Sequence, residues 1–186
     1  NKNSTTPKDK EIIIDFKIKE AKEEINNIQQ ASWEQSKNLK EEEFTRAAAL
    51  GLFDYLRKSN AKGFVVSLSG GADSSAVSCL VYLMLELGIN EIGLEAFVKK
   101  LNIKNTAEQT AKELCNKLLL CLYQATENSG KTTRKSAEEV AKAIGAKYLE
   151  LNISKIVTDY LDLVEKGIER KLSWESDDIA LQNIQA

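Results

Sequence analysis

Between Lys40 and Ser59 the stretch EEEFTRAAALGLFDYLRKS places Phe44, Ala47, Ala48, Leu52, Tyr55 and Leu56 three to four residues apart. That period puts them on one face of an amphipathic helix, which Asn60-Ala61-Lys62-Gly63 stops. The pattern then changes. Phe64 to Leu68 is a short apolar run of strand type, and SAVSCLVYLMLELG reads as a mostly apolar helix ending at Gly88. A charge-mixed helical segment covers Asn90 to about Lys117, and Leu118 to Tyr123 (LLLCLY) is a second buried-strand candidate. Lys131 to Ile144 is helical up to Gly145, and Lys147 to Ile153 alternates as a third strand. Ser154 to about Lys171 is helical, SWESDD is a loop, and IALQNIQA begins a last helix. Upstream, EIIIDFK at Glu11–Lys17 is a β-type run, IKEAKEEINNIQQ is helix-like and charged, and Ala31 to Leu39 resembles a linker. The polar first ten residues are expected to fray. Strand–helix–strand alternation predicts an α/β fold, a parallel sheet with helices on both faces.

Composition narrows the chemistry. A chain of 186 residues is long enough for one domain with a core, and a formal net charge of −2 gives no electrostatic case for nucleic acid. No apolar run approaches the length of a bilayer span, so no membrane partner is expected. Cys79, Cys115 and Cys121 are odd in number and lack metal-ligand spacing, which favours a reducing, cytoplasmic setting. The chain has no histidine, which removes Ser–His–Asp and Cys–His catalysis and nearly all zinc chemistry from within it. It starts at Asn1 and stops inside a helical pattern, and so is expected to be a piece of something longer, truncated on its C-terminal side.

The stretch VSLSGGADSS, Val66 to Ser75, lies where the first strand hands over to a helix. In open parallel sheets ligands bind beyond the carboxyl ends of strands, and the unpaired N–H groups of a helix N-terminus attract anions. Gly70 and Gly71 allow backbone to approach an oxyanion closely, and Ser67, Ser69, Ser74 and Ser75 add hydroxyls. An acid among these donors is odd for phosphate alone; Asp73 makes sense if a Mg²⁺ ion bridges it to the phosphates. The plainer alternative is a helix cap, which accounts for one residue and not for two glycines flanked by serines. The loop is not of the Walker type, because no Gly-Lys-Ser/Thr follows four variable residues.

SGGADS resembles the Ser-Gly-Gly-x-Asp-Ser signature of the ATP pyrophosphatase superfamily, whose members cleave ATP between the α and β phosphates. Two further stretches resemble glutamine-dependent NAD synthetases in particular: ATENSGKTTRKSAEEVAKAIGAKYLELNI, and DDIALQNIQA with its Leu-x-Asn-x-Gln-Ala pattern. The likeness runs from about Phe44 to Ala186. It implies a Rossmann-like, adenine nucleotide alpha-hydrolase-like fold and an ATP-dependent amidation of deamido-NAD through an adenylated intermediate. By match, Ser67, Leu68, Ser69, Gly70, Gly71, Ala72, Asp73 and Ser74 hold the pyrophosphate, with Ser69 and Asp73 acting in the chemistry and Asp73 ligating Mg²⁺. Thr126 is placed near the nucleotide and Asn183 against deamido-NAD. The expected partners are ATP, deamido-NAD and ammonia or glutamine, in a homo-oligomer.

Each match has a bland counterpart. Thr126 could cap the following helix, and Asn183 could be a polar residue on an exposed face. Cys79 and Cys121 read as core, EEE at 41–43 as a solvated helix start, and Trp33 and Trp174 have no assignable role. Residues 40–186 are expected to form an incomplete synthetase domain. Residues 1–39 are either a linker or the end of an amidase domain, whose Glu–Lys–Cys triad has no counterpart here. The long stretch between Leu87 and Lys117 resembles the insertion of the eukaryotic-like branch. Another amidating or thiolating pyrophosphatase-type enzyme, or a non-catalytic nucleotide-binding domain, is the alternative.

Overall fold

The computed structural model describes residues 14–17, 31–104 and 110–185. A single 3-10 turn, Ser32–Gln35, precedes α1 (Leu39–Ser59), β1 (Phe64–Ser67), α2 (Ala72–Ile92), α3 (Leu94–Lys100) and α4 (Ala111–Leu118). Then follow β2 (Leu119–Ala125), α5 (Lys131–Ile144), β3 (Lys147–Asn152), α6 (Ser154–Ile168) and α7 (Asp178–Gln185). Residues 14–17 form no strand and leave Ile14 and Phe16 exposed. The polar first ten residues and the helix expected over 18–30 lie outside the described residues. So do residues 105–109, in the segment expected to be helical from Asn90 to Lys117.

The three strands form one parallel sheet in the order β1-β2-β3, with Val66 opposite Cys121 and Cys121 opposite Tyr148. The face carrying Val66, Leu119, Cys121, Tyr123 and Ala125 is packed under α2, α4 and α5. The other face holds Val65, Leu149 and Leu151, all exposed. α6, which follows β3, likewise exposes Ile156, Tyr160 and Leu163 at helical spacing.

α1 lies on α2, and Ala49 and Leu56 join Val81, Met84, Leu85 and Phe97 in the core. Its ion pairs, Glu42–Arg46 at 3.2 Å and Asp54 with Arg57 and Lys58, are on the surface. Such pairs contribute about 0–1 kcal/mol each, whereas burying one leucine side chain contributes roughly 1.5–3 kcal/mol. Packing therefore holds α1 in place.

Three expectations need correction. α2 does not end at Gly88 but runs on to Ile92, where Gly93 at φ +78° stops it. The Phe97 ring of α3 fills the side-chain space at Gly88; a Cβ there would lie 2.2 Å from the ring. Tertiary packing thus keeps inside the helix a glycine that the chain pattern reads as its end. The extension brings α2 to 21 residues, long and apolar enough by length and composition to cross a membrane, contrary to the reading of the bare sequence. Its inner face is committed elsewhere: Ser78, Val81, Met84 and Leu85 are buried against α1 and the sheet. Nor is Ala31–Leu39 merely a linker, because the Arg46 guanidinium stacks 4.8 Å above the Trp33 ring and pins the 3-10 turn to α1.

Candidate active site

Strand β1 delivers the chain to the loop. The Leu68 side chain is fully buried and its N–H donates to the Leu122 carbonyl at 2.8 Å, so Leu68 anchors the loop to the sheet and offers no free donor. Beyond it the loop closes on its own hydroxyls. The Ser69 N–H donates to Ser74 Oγ at 3.2 Å, the two hydroxyls lie 3.1 Å apart, and the Gly71 N–H donates to Ser69 Oγ at 3.3 Å. Ser74 and Ser75 both donate to the Gly71 carbonyl, at 3.3 and 2.7 Å. The serines thus fix the loop from inside. The amides of Gly70, Ala72, Asp73 and Ser74 are left without a protein partner among the described residues. Four free N–H groups at the start of a 21-residue helix, with its dipole behind them, can receive an anion.

Gly70 has two reasons to be glycine. Its φ is +82°, and a Cβ on it would lie 2.2 Å from the carbonyl oxygen of Thr133 in the first turn of α5. Gly71 has neither: its φ is −85°, and its nearest neighbour would be Ser69 Oγ at 3.4 Å. The first turn of α5 carries no acid, and Lys131 and Lys135 have no ion-pair partner among the described residues. Cations at a helix N-terminus oppose its dipole, so the potential beside the loop is positive, as an anion requires. Arg134 is tied to Glu150 at 3.1 Å. Asp73 is exposed on the first turn of α2, with no hydrogen bond or ion pair among the described residues.

Comparison with known proteins shows the family. The NAD synthase family model matches residues 44–186. This chain belongs to the NAD synthase family. The chain is 35% identical over 159 residues to a glutamine-dependent NAD(+) synthetase of Oryza sativa subsp. indica, and 34% over 158 residues to that of Rattus norvegicus. These alignments take in 78% of this chain but only 22% of each relative, so the chain spans about a fifth of their length. A crystal structure of a glutamine-dependent NAD(+) synthetase from Cytophaga hutchinsonii matches with a TM-score of 0.73 at 46% identity, over 79% of this chain and 27% of that one. The fold is shared further, with a TM-score of 0.53 at 16% identity, by the enzyme from Acinetobacter baumannii solved in complex with ADP, over 78% of this chain and 21% of that one.

In this NAD synthase chain, Thr126 lies at the end of β2 and closes a turn: its N–H donates to Ser129 Oγ at 2.8 Å, and the Ser129 N–H donates back to its carbonyl at 3.0 Å. The cap of α5 is Gly130, so capping does not explain Thr126. Asn183 is exposed on α7, and no hydrogen bond joins it to the loop among the described residues. The cysteines are core: Cys115 and Cys121 are fully buried, and burial pushes the Cys115 thiol up to about 12, too high for a nucleophile at neutral pH.

Three sets of contacts escaped the sequence reading. Ser67 donates to Gln124 Oε1 at 2.6 Å, joining the carboxyl ends of β1 and β2. Ser78 is fully buried, donates to the Ser74 carbonyl at 2.9 Å, and meets the Cys121 thiol at 3.8 Å. The third set holds α7. Arg170 grips both carboxylate oxygens of Asp177 at 2.9 and 2.5 Å, while Glu165 accepts from Lys171 at 2.5 Å and from the Leu172 N–H at 2.9 Å. Ser67 itself was read as part of the loop, but its bond to Gln124, like the other contacts, joins groups that share no sequence pattern.

The α6–α7 connection should be sensitive to acid. Hydrogen bonds from Arg170, then Ser176 and the Ser173 N–H, hold the Asp177 carboxyl far below its ordinary 3.8; Lys171, then the Leu172 N–H, hold Glu165 below its ordinary 4.5. A carboxyl depressed in the folded state stabilises fully above its unfolded value and loses that contribution as pH falls through the folded one. Below about pH 4 the α7 amides are expected to exchange hydrogen ahead of those in β2, and Asp177→Asn should remove most of that pH dependence. Equal protection of α7 and β2 down to pH 3 would contradict this.

Proposed function

We propose that the protein carrying this chain converts deamido-NAD to NAD, with ATP as the activating co-substrate and ammonia drawn from glutamine. The observation that carries the reading is the set of four unpaired amides at the start of α2, in a chain whose relatives are named glutamine-dependent NAD(+) synthetases. On this reading residues 40–186 open the synthetase domain and residues 1–39 precede it.

The chemistry needs little acid–base help, which suits a chain without histidine. A nicotinate carboxylate oxygen of deamido-NAD attacks the α phosphorus of ATP. The bond from the α phosphorus to the bridging oxygen breaks, and pyrophosphate leaves. Ammonia then attacks the acyl carbon, the C–N bond forms, AMP leaves with its oxygen, and the surplus proton passes to solvent. What the protein must supply is alignment and neutralisation of the growing pyrophosphate charge. The amides of Gly70, Ala72, Asp73 and Ser74 donate to the pyrophosphate oxygens, and Ser69 and Ser74 keep those amides aimed outward.

Asp73 fits a Mg²⁺ ion. Among the described residues no group of three or more His, Cys, Asp or Glu side chains could hold a metal, so Asp73 would be a single carboxylate beside phosphate oxygens and water. Mg²⁺ is commonly held in this way, and when bound it would offset phosphate charge. Thr126, at the end of β2, is assigned to the nucleotide side, and Asn183 to deamido-NAD. The three free cysteines suit a reducing cytoplasm.

The test is mass spectrometry of products from the full-length protein given ATP, Mg²⁺, deamido-NAD and glutamine or ammonia. NAD, AMP and pyrophosphate in equal amounts are expected. ATP cleavage to ADP, or no dependence on deamido-NAD, would overturn the reading.

A further inference from the structure

Tyr123 lies on the packed face of β2 and is 4% exposed. A buried phenol has to find a hydrogen-bond partner, and any nearby acceptor would satisfy it. The place of this partner is the informative point. Tyr123 OH sits 3.0 Å from Thr133 Oγ1, and Thr133 Oγ1 donates to the Gly130 carbonyl at 2.9 Å. A threonine hydroxyl has one proton, and here it is used on Gly130. The phenol therefore donates, and the bonds run in one direction from Tyr123 to Thr133 to Gly130. They lock the first turn of α5, and the Thr133 carbonyl on that turn is the surface against which Gly70 is seated, with no room for a methyl group.

We propose that Tyr123 is a positioning residue for the Ser69–Ser74 loop: through Thr133, its phenol fixes the turn of α5 on which Gly70 rests. A residue with no access to ligand thereby sets the direction of the Gly70 amide. In the sequence Tyr123 looks like one more apolar strand position, and only the register of β2 against α5 reveals the link. Its consequence for ATP rests on the function proposed above; its consequence for loop geometry does not.

The experiment uses the full-length protein as wild type, Tyr123→Phe, Thr133→Val, Thr133→Ser and the Phe/Val double variant. Tyr123→Phe keeps the ring, and with it the packing. Hydrogen exchange at the Ser69 and Gly71 amides, which are bonded within the loop, is expected to quicken about 3- to 10-fold in Tyr123→Phe, the range one neutral hydrogen bond supplies. Thr133→Val, which also loses the bond to Gly130, should quicken it at least as much, Thr133→Ser should behave as wild type, and the double variant should match Thr133→Val. Calorimetry with inorganic pyrophosphate and Mg²⁺ should show an affinity loss of similar size, with the KM for deamido-NAD unchanged. Loop exchange equal to wild type in Tyr123→Phe overturns the proposal, and so does an increase spread evenly over the whole sheet. If wild type binds no pyrophosphate, the ATP reading of the loop fails, while the exchange arm still decides the Tyr123 link.

Discussion

Under the proposed function, Asp73→Asn is expected to leave a folded protein whose NAD synthesis falls by about 10²-fold or more. On the proposed reading the magnitude follows from what is removed: the carboxylate assigned to Mg²⁺ beside the phosphates, where preorganised charge is commonly worth 10²–10³ in rate. The fold should be indifferent, because Asp73 is exposed and bonded to nothing among the described residues. Its attraction to the α2 dipole contributes only about 0.3–1 kcal/mol. Asparagine keeps the shape and loses the charge. Steady-state rates against Mg²⁺ concentration, read beside a thermal melt, check this; near wild-type turnover would refute the metal assignment, and a collapsed melt would show that Asp73 is structural.

Gly70→Ala is expected to damage the loop severely, and Gly71→Ala only slightly. At position 70 an alanine must adopt φ +82°, a strain of roughly 1–3 kcal/mol, and must also displace the Thr133 carbonyl, which would stand 2.2 Å from the new methyl group. Backbone cannot swing aside as a flexible side chain can. Either the loop or the first turn of α5 moves, and a shift of about 1 Å at a reacting centre can lower the rate 10²-fold. At position 71 the backbone already suits alanine, and the nearest atom, Ser69 Oγ at 3.4 Å, is in ordinary contact. Pyrophosphate affinity and catalytic rate for the two variants, measured side by side, separate the positions. Equal loss in both would mean that the loop needs small residues generally, and that the Thr133 contact is not what restricts Gly70.

The parts of this fold that follow from local chemistry were legible in the chain. α5 starts at Lys131 and ends at Ile144 as the glycines at 130 and 145 imply, and β1 and β3 lie where the apolar runs place them. The loop was legible because two glycines among serines are rare and their position after a strand is specific. What stayed hidden depends on a second segment. Gly88 reads as a helix end until Phe97 is seen filling its side-chain space. Trp33 has no role until Arg46 lies over it. Tyr123 and Thr133 are ten residues apart, and Ser67 and Gln124 fifty-seven, with no periodicity relating either pair. Tertiary partners of this kind leave no trace in the hydrophobic pattern, because each side chain alone obeys the rule for its own element.

The order of the sheet also bears on how the chain is made. β1, β2 and β3 are neighbours in the order in which a ribosome would release them, and β2 and β3 each pair with the strand before them. Among the described residues no strand has to be slotted between two that have already joined, so assembly through Asn152 can follow synthesis step by step. The crossover helices between them, α2 to α4 and then α5, are finished before the strand they must hold in place. Parallel pairing is slow when its contacts are far apart in sequence. Here the growing end always meets a partner already in position, so the slow search is divided into two short ones.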